Sequence, residues 1–387
     1  MTDQDKWKAT RLVEGGRRKE WQQRLINVPV HRGSTLLFES CADLLAAKPG
    51  PGAHYYGLHG TPTQWALSEA LTGLEPGAVG TCLYPSGLAS VTAALLTVLR
   101  AGQQLLVPDS IYGPTRRFCD NHLARFGVET IYYPPTASAD DLAALAGDDT
   151  GAIMLESPGS MTMEVQDVPG ICAMARARGI ATILDNTWAT PLLFPALEHG
   201  VDISAMALTK FVGGHGDLIA GCASAGPEWF ERLQTASWDL GFALSPDDAW
   251  LAARGLRTMG LRMCHQEAST LAIAEWLSGE ARVGLMLHPA FASCPGHEYW
   301  KRDFGGSSSL FSFEFLGSPA ERARFIDGLK HFSIGFSWGG YESLATPVDP
   351  VRTIGPAPAT NLVRLQIGLE EPGDLIADLD QAFAALR

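Results

Sequence analysis

Lysine is scarce in this 387-residue chain: seven lysines stand against twenty-two arginines, and charged residues of every kind make up only 18%. The basic residues form no cluster or tail and the net charge is −13, which argues against nucleic acid or an anionic membrane as partner. No apolar run approaches the length needed to cross a bilayer. The N-terminal stretch MTDQDKWKATRLVEGGRRKEW is polar and has no apolar signal core, so a cytoplasmic protein is expected. The seven cysteines, at positions 41, 82, 119, 172, 222, 264 and 294, are odd in number and contain no C-x-x-C pair, the pattern of reduced buried thiols. The ten histidines show no H-E-x-x-H or similar spacing, and no metal is expected. A small anionic ligand stays compatible with all of this, because single arginines and helix N-termini can bind it locally.

What the chain does have is apolar content, 46% of residues, and length enough for a dominant core with a smaller partner domain. From about residue 62 helical and strand-like stretches alternate: PTQWALSEALTGLE, GTCLYPSG, LASVTAALLTVLRAG, QLLVPDS, GPTRRFCDNHLARFG, VETIYYP, SADDLAALAG, GAIMLESPG, VPGICAMARARG, IATILDNTW, ISAMALTKF and IAGCASAG. Short apolar runs without polar alternation predict strands buried on both faces, hence an α/β fold with a largely parallel sheet covered by helices. One long helical pattern is expected between about 246 and 281, leading into a second domain with strand-like SSLFSFEFLG, FSIGFSWGGYESL and NLVRLQIGLE and a terminal helix. The expected division is an N-terminal arm over 1–60 that packs on a neighbour, a cofactor-binding domain over 61–255 and a smaller α+β domain over 256–387.

The strand ends carry the chemistry: Ser86-Gly87, Asp109, Tyr112, Glu156, Asp185 and Thr209-Lys210. In open α/β sheets the carboxyl ends of strands collect ligands, so these positions converge. Lys210 follows the apolar run ISAMALT, where a lysine must either snorkel out or do chemistry. A desolvated lysine with a lowered pKa can form a Schiff base with an aldehyde. An aspartate such as Asp185, placed against a pyridine nitrogen, keeps that nitrogen protonated and makes the ring an electron sink. Together they suit pyridoxal phosphate. Alone the pair is weak, since Asp-Asn at a strand end more often makes a turn or cap. Ser86-Gly87-Leu88 ahead of a helix could hold a phosphate on free N–H groups, Thr209 could offer its hydroxyl, and Tyr112 could lie over a planar ring or be a core aromatic.

Taken in order and spacing, LESPGSMTMEVQDVP, DNTWATPLLF, TKFVGGHGD, SWGGYESL and RLQIGLE resemble the Cys/Met-metabolism family of pyridoxal-phosphate enzymes, and within it the bacterial cystathionine β-lyases. The resemblance runs from about residue 25 to the C-terminus. It implies a fold-type I transferase-like architecture and a Schiff-base role for Lys210. It also implies Asp185 on the pyridine nitrogen, Tyr112 stacked on the ring, and Gly87, Leu88 and Thr209 at the phosphate. Arg364 would grip the substrate carboxylate, and Ser337 and Trp338 would line the substrate end. Tyr56 would reach the site of a second copy, in a homodimer or a dimer of dimers. The implied substrate is a small amino-acid thioether.

Ser160, Trp338, Phe336 and Pro114 stand where relatives that act at the γ-carbon resemble one another in carrying other residues, which favours β-cleavage. Elimination on another cysteine conjugate or on cysteine itself, or γ-chemistry on the same scaffold, stays open, and the remote alternative is a non-catalytic protein that binds pyridoxal phosphate, for which Leu58 is the only hint. Two departures bear on cofactor affinity and substrate choice. The stretch YGLHG has Leu58 where the family pattern has an arginine, with His59 as a partial substitute or an ordinary surface histidine. Phe336 replaces the tyrosine of some β-lyases.

Overall fold

The structure, a computed structural model, describes residues 8–50 and 52–386. The apolar runs read from the sequence become seven strands of one sheet. These are β1 (Gly80–Tyr84), β2 (Gln104–Pro108), β3 (Glu129–Tyr133), β4 (Thr150–Glu156), β5 (Ala181–Asp185), β6 (Ile203–Ala207) and β7 (Gly221–Ala225). Their order is β1-β7-β6-β5-β4-β2-β3. β2 to β6 pair in parallel, whereas β7 runs antiparallel to both β6 and β1. The sheet is therefore mostly parallel, as the uninterrupted apolar runs imply, with one reversed strand.

Burial on both faces is visible residue by residue. Along β4, Ala152 and Met154 pack into one core with Ala93, Ala94 and Leu95 of the helix Gly87–Val98. Ile153 and Leu155 pack into the opposite core with Val168 and Ile171 of the helix Val168–Ala177. Successive side chains of a strand point to opposite faces, so a helical layer on each side demands apolar residues at every position.

A second sheet follows, built from β8 (Val283–Leu287), β9 (Leu310–Phe315), β10 (Ser333–Ile334), β11 (Leu344–Val348) and β12 (Leu362–Gln366), in the order β10-β11-β12-β9-β8. Phe311, Phe313 and Phe315 of β9 meet Phe325 and Phe383 from two covering helices. Two features differ from the sequence expectation. β8 is a strand that the sequence reading did not separate from its surroundings. The single helix expected over 246–281 is two, Pro246–Leu256 and Met259–Leu277. Ala249, Ala252, Leu256, Met259 and Met263 all enter one core, so the apolar spacing continues across the break and hides it.

From Lys8 on, part of the segment expected to be an arm packs on its own chain. The helix Lys8–Glu14 buries Leu12 in the same core as Leu67, Leu71 and Met259, and Arg257 donates to the carbonyls of Leu12 (2.7 Å) and Gly15 (2.8 Å). Farther on, Leu37, Leu45, Tyr55 and Tyr56 are exposed. All seven cysteines are free, five buried and Cys41 and Cys264 exposed. Among the described residues no helix is long and apolar enough to cross a membrane.

Candidate active site

The carboxyl ends of β4, β5 and β6 meet the end of β2 around a cavity of about 480 Å³, a size usual for small-molecule sites. A second cavity, of about 490 Å³, lies beside the N-terminal segment and is walled by Trp21, Trp65, Trp238 and Phe242. It is marginally larger, but Lys210, Asp185 and Arg364 all line the first, which is where the chemistry can occur.

Lys210 lies in the turns, residues 208–213, that follow β6. Its Nζ donates to Ser337 Oγ at 2.7 Å and lies 5.1 Å from the centre of the Trp338 ring. Burial pulls its pKa down to about 8, helped by the positive charge of Arg364 and opposed by Asp185. Roughly a tenth to a fifth of the amine is then neutral between pH 7 and pH 7.4, against less than about one part in a thousand for an ordinary lysine, and the neutral form is the one in which nitrogen is a nucleophile and a base. The loop that brings Ser337 and Trp338 sits directly on the lysine's main chain. Gly339, at φ +80°, has no room for a side chain, since a Cβ would stand 2.9 Å from Phe211 N and 3.0 Å from the Lys210 carbonyl carbon. Ser337 itself adopts φ +87°, a costly backbone for a residue with a side chain.

Asp185 closes β5, with Glu156 opposite it on β4 and Ala205 opposite it on β6. The Thr187 hydroxyl and N–H both go to Asp185 Oδ1, and Thr187 Oγ1 in turn accepts the Ala207 N–H at 2.9 Å. That leaves Oδ2 for the cavity. Glu156 accepts N–H donors at both oxygens, from Tyr112 and from Ser160, each at 2.7 Å. Burial raises both carboxyl groups above the ordinary carboxylate range; the charge of Asp185 adds to the rise at Glu156, while Thr187 and Lys210 restrain it at Asp185. A cation against Oδ2 would restore the ionised aspartate.

The helix Gly87–Val98 points its N-terminus into the same space. Ser86 caps it by accepting the Ala89 N–H at 3.1 Å, and the N–H groups of Gly87 and Leu88 make no hydrogen bond among the described residues. Gly87 permits this approach: a Cβ there would lie 2.5 Å from Ala207 Cβ. Thr209 lines the cavity too, but its hydroxyl is engaged with Ala220, donating to the carbonyl (3.1 Å) and accepting the N–H (3.0 Å). Across the cavity Tyr112 presents its ring, and burial with the charges of Asp185 and Glu156 raises its phenol pKa, so the hydroxyl stays protonated.

Arg364 reaches in from β12. Its one hydrogen bond among the described residues is a long contact of 3.4 Å to the Ser160 carbonyl, and no carboxylate pairs with it. Burial lowers its pKa.

Of the residues singled out in the sequence, Lys210, Asp185, Tyr112, Gly87, Leu88, Thr209, Trp338 and Arg364 share this cavity, and Ser337 touches it through Lys210. Tyr56 lies elsewhere in the single chain, half-exposed. Leu58 and His59 line the second cavity, where the His59 ring packs edge-on against Trp238 at 4.7 Å. Phe336 is 93% exposed. Thr187 and Arg117, which also line the site, were not read from the sequence as functional; the quoted motif DNTW contains the former, and nothing marks the latter.

The profile of the Cys/Met metabolism PLP-dependent enzymes matches residues 9–384. The chain belongs to that family. This member is 39% identical over 99% of its length to cystathionine beta-lyase MetC of Escherichia coli, 99% of which is covered. It is also 37% identical to a Wolbachia pipientis protein named L-alanine/L-glutamate racemase, over 97% of this chain and 96% of that one. A solved structure, metB from Corynebacterium glutamicum, superposes with a TM-score of 0.93 at 26% identity, covering the whole of both chains. The fold is accordingly that of the fold-type I PLP enzymes, and the cofactor is pyridoxal 5′-phosphate.

The residues present fit that group. Two unpaired N–H groups at a helix N-terminus suit a phosphate, the open Oδ2 of Asp185 suits a protonated ring nitrogen, and a buried, low-pKa amine suits an aldehyde.

Proposed function

We propose that this protein is a carbon–sulfur β-lyase that cleaves L-cystathionine to homocysteine, pyruvate and ammonia. The observation that carries the reading is the shared cavity of a low-pKa amine, Lys210, and a guanidinium without a carboxylate partner, Arg364. An α-amino acid needs such a pair, one group for its Cα proton and one for its carboxylate. The relatives named above supply the reaction class.

In this reading Gly87 and Leu88 hold the cofactor's phosphate through their N–H groups, with Thr209 beside it. Asp185 pairs with the ring nitrogen and Tyr112 covers the ring. Bound there, pyridoxal phosphate supplies the electron sink for the pair left when a proton departs from Cα. Arg364 binds the substrate carboxylate through two parallel N–H donors. Lys210 takes the Cα proton, and Ser337 Oγ orients its amine for that transfer. The C–S bond then breaks with both electrons on sulfur, which leaves as the homocysteine thiol after gaining a proton. Water takes up the three-carbon remainder, releasing pyruvate and ammonia. Trp338 closes the substrate end beside the amine.

The chain is further proposed to act as a cytoplasmic homo-oligomer, a dimer at the least and a dimer of dimers by family resemblance, with Tyr56 reaching a second copy's site. Its half-exposed position away from the single-chain cavity supports this. The division into an arm over 1–60 and domains over 61–255 and 256–387 is part of the same proposal, and the separation of the strands into two sheets, Gly80–Ala225 and Val283–Gln366, supports it.

The test is the product formed from L-cystathionine by purified, cofactor-loaded protein. Pyruvate with homocysteine is expected. Release of 2-oxobutyrate would assign γ-elimination instead, and an inverted amino acid without C–S cleavage would assign racemisation.

A further inference from the structure

Lys210 and Ser337 come from chain segments far apart in sequence, yet one helix grips both. The helix Met259–Leu277 carries Arg262 and Gln266 four residues apart, hence on one face, and both are almost completely buried. Arg262 Nη2 donates to the carbonyls of Phe211 (2.7 Å) and Gly255 (2.9 Å), taking hold of the main chain immediately after Lys210. Gln266 Nε2 donates to the carbonyls of Gly340 (2.7 Å) and Ile367 (3.1 Å), taking hold of the loop that carries Ser337 and Trp338. Among the described residues no carboxylate pairs with Arg262: main-chain oxygens and the Thr258 hydroxyl take the protons of its Nη2 and Nε, while Nη1, like Gln266 Oε1, is buried without a hydrogen-bond partner.

Close packing leaves this arrangement little freedom. Gly214 is at φ +69°, and a Cβ there would stand 2.0 Å from Arg262 Nη1. Gly339 lies against the main chain of Lys210 and Phe211. The left-handed backbone of Ser337 persists only if its surroundings impose it. The Gln266 bond to the Gly340 carbonyl, three positions from that strained residue, is the shorter of two there, since Gln366 Nε2 reaches the same oxygen only at 3.5 Å.

We propose that Arg262 and Gln266 are positioning residues: together they fix the loops whose meeting sets the contact between Lys210 Nζ and Ser337 Oγ. The proposal deepens the lyase reading and, for its turnover measurement, rests on it. Arg262 sets the lysine's side of the contact and Gln266 the serine's side. A misplacement on the order of 1 Å transmitted from a remote change can cost about a hundredfold in rate.

The experiment is a double-mutant cycle between Gln266→Met and Ser337→Ala, read in two ways. The first is kcat per cofactor-loaded site with the substrate that wild type turns over. The second is independent of both substrate and cofactor: competitive acetic anhydride labelling of Lys210 in the apoprotein across pH, followed by mass spectrometry. If Gln266 acts through Ser337, Gln266→Met lowers kcat about tenfold or more with little change in KM. The double variant is then no slower than Ser337→Ala within about twofold. The Lys210 labelling profile of Gln266→Met moves toward that of Ser337→Ala. Multiplying effects in the double variant overturn the proposal, as does a labelling profile that Gln266→Met leaves at wild type. If Gln266→Met does not fold, Gln266→Asn replaces it in the same cycle with the same criteria. A wild type without lyase activity defeats the functional reading alone, because the labelling still decides the positioning.

Discussion

Two buried arginines in this structure should respond to truncation in opposite ways. Arg352 forms an ion pair with Glu164 at 2.7 Å, with side chains only 8% and 5% exposed, and also donates to Thr162 Oγ1. Arg364 sits on β12 with one long bond to a carbonyl and no acid. Removing one member of a buried pair strands the other charge, so Arg352→Ala should cost about 3–5 kcal/mol of folding stability. Arg364→Ala strands nothing. It removes a desolvated cation, and the loss of packing by its aliphatic stem works the other way. The net change should stay within about 1 kcal/mol of wild type. If Arg364 binds the substrate carboxylate as proposed, its loss should show there: losing one partner of a buried charge pair costs about 2–4 kcal/mol, or roughly thirtyfold to nearly a thousandfold in kcat/KM. A third consequence is electrostatic. Arg364 helps to hold the Lys210 pKa near 8, so in Arg364→Ala that pKa should rise. Urea unfolding of the cofactor-free variants measures stability without the stabilisation that a ligand adds, and steady-state kinetics on the loaded enzymes measures the rest. If Arg364→Ala destabilises as much as Arg352→Ala and leaves kcat/KM unchanged, Arg364 is a structural residue and the carboxylate site lies elsewhere.

Two further outcomes follow from buried or strained groups. Glu75, 2% exposed, accepts from Leu197 N–H (3.2 Å) and Ser204 Oγ (3.0 Å), and burial raises its pKa from 4.5 to about 7. The folded state then holds the proton more tightly than the unfolded one, so this group's contribution is complete below pH 4.5 and lost as pH rises through 7. Glu75→Gln, which cannot ionise, should gain on wild type by on the order of 3 kcal/mol between pH 4 and pH 9; a pH-independent difference in urea melts would refute the burial argument. Ser337→Gly should relieve the φ +87° backbone and raise stability by about 1 kcal/mol while lowering kcat through loss of the hydroxyl. A variant that loses stability as well as rate would mean that the backbone at 337 is not strained.

The parts of this molecule that could be read from the sequence are those in which residue type itself carries the physics. A lysine after an apolar strand, an aspartate at a neighbouring strand end and glycines where main chains touch can each be justified from composition and position alone. Lys210, Asp185 and Gly87 duly meet in one cavity. Strand direction has no such signature: the apolar run of β7 gives no sign that it is antiparallel to both neighbours. The break between Leu256 and Met259 is equally silent, because both helices feed the same core. Tyr56 is legible only through family resemblance, since its proposed contact needs a second copy of the chain.

Arg262 and Gln266 show the deeper reason why a site is harder to read than a fold. Their partners are main-chain carbonyls, of Phe211 and Gly255 for one and of Gly340 and Ile367 for the other. Every residue has a carbonyl, so the partner's identity leaves no mark in the sequence, and a polar residue inside an apolar helix face looks like an exception rather than a clamp. Burial changes its meaning. A guanidinium or an amide taken out of water must be hydrogen-bonded or it costs several kcal/mol, so whatever accepts its protons is held in place by that cost. Around Lys210 the accepting groups are the two loops that bring the amine to the Ser337 hydroxyl. The lysine therefore reports where the chemistry is, and the buried donors behind it set how accurately it is aimed.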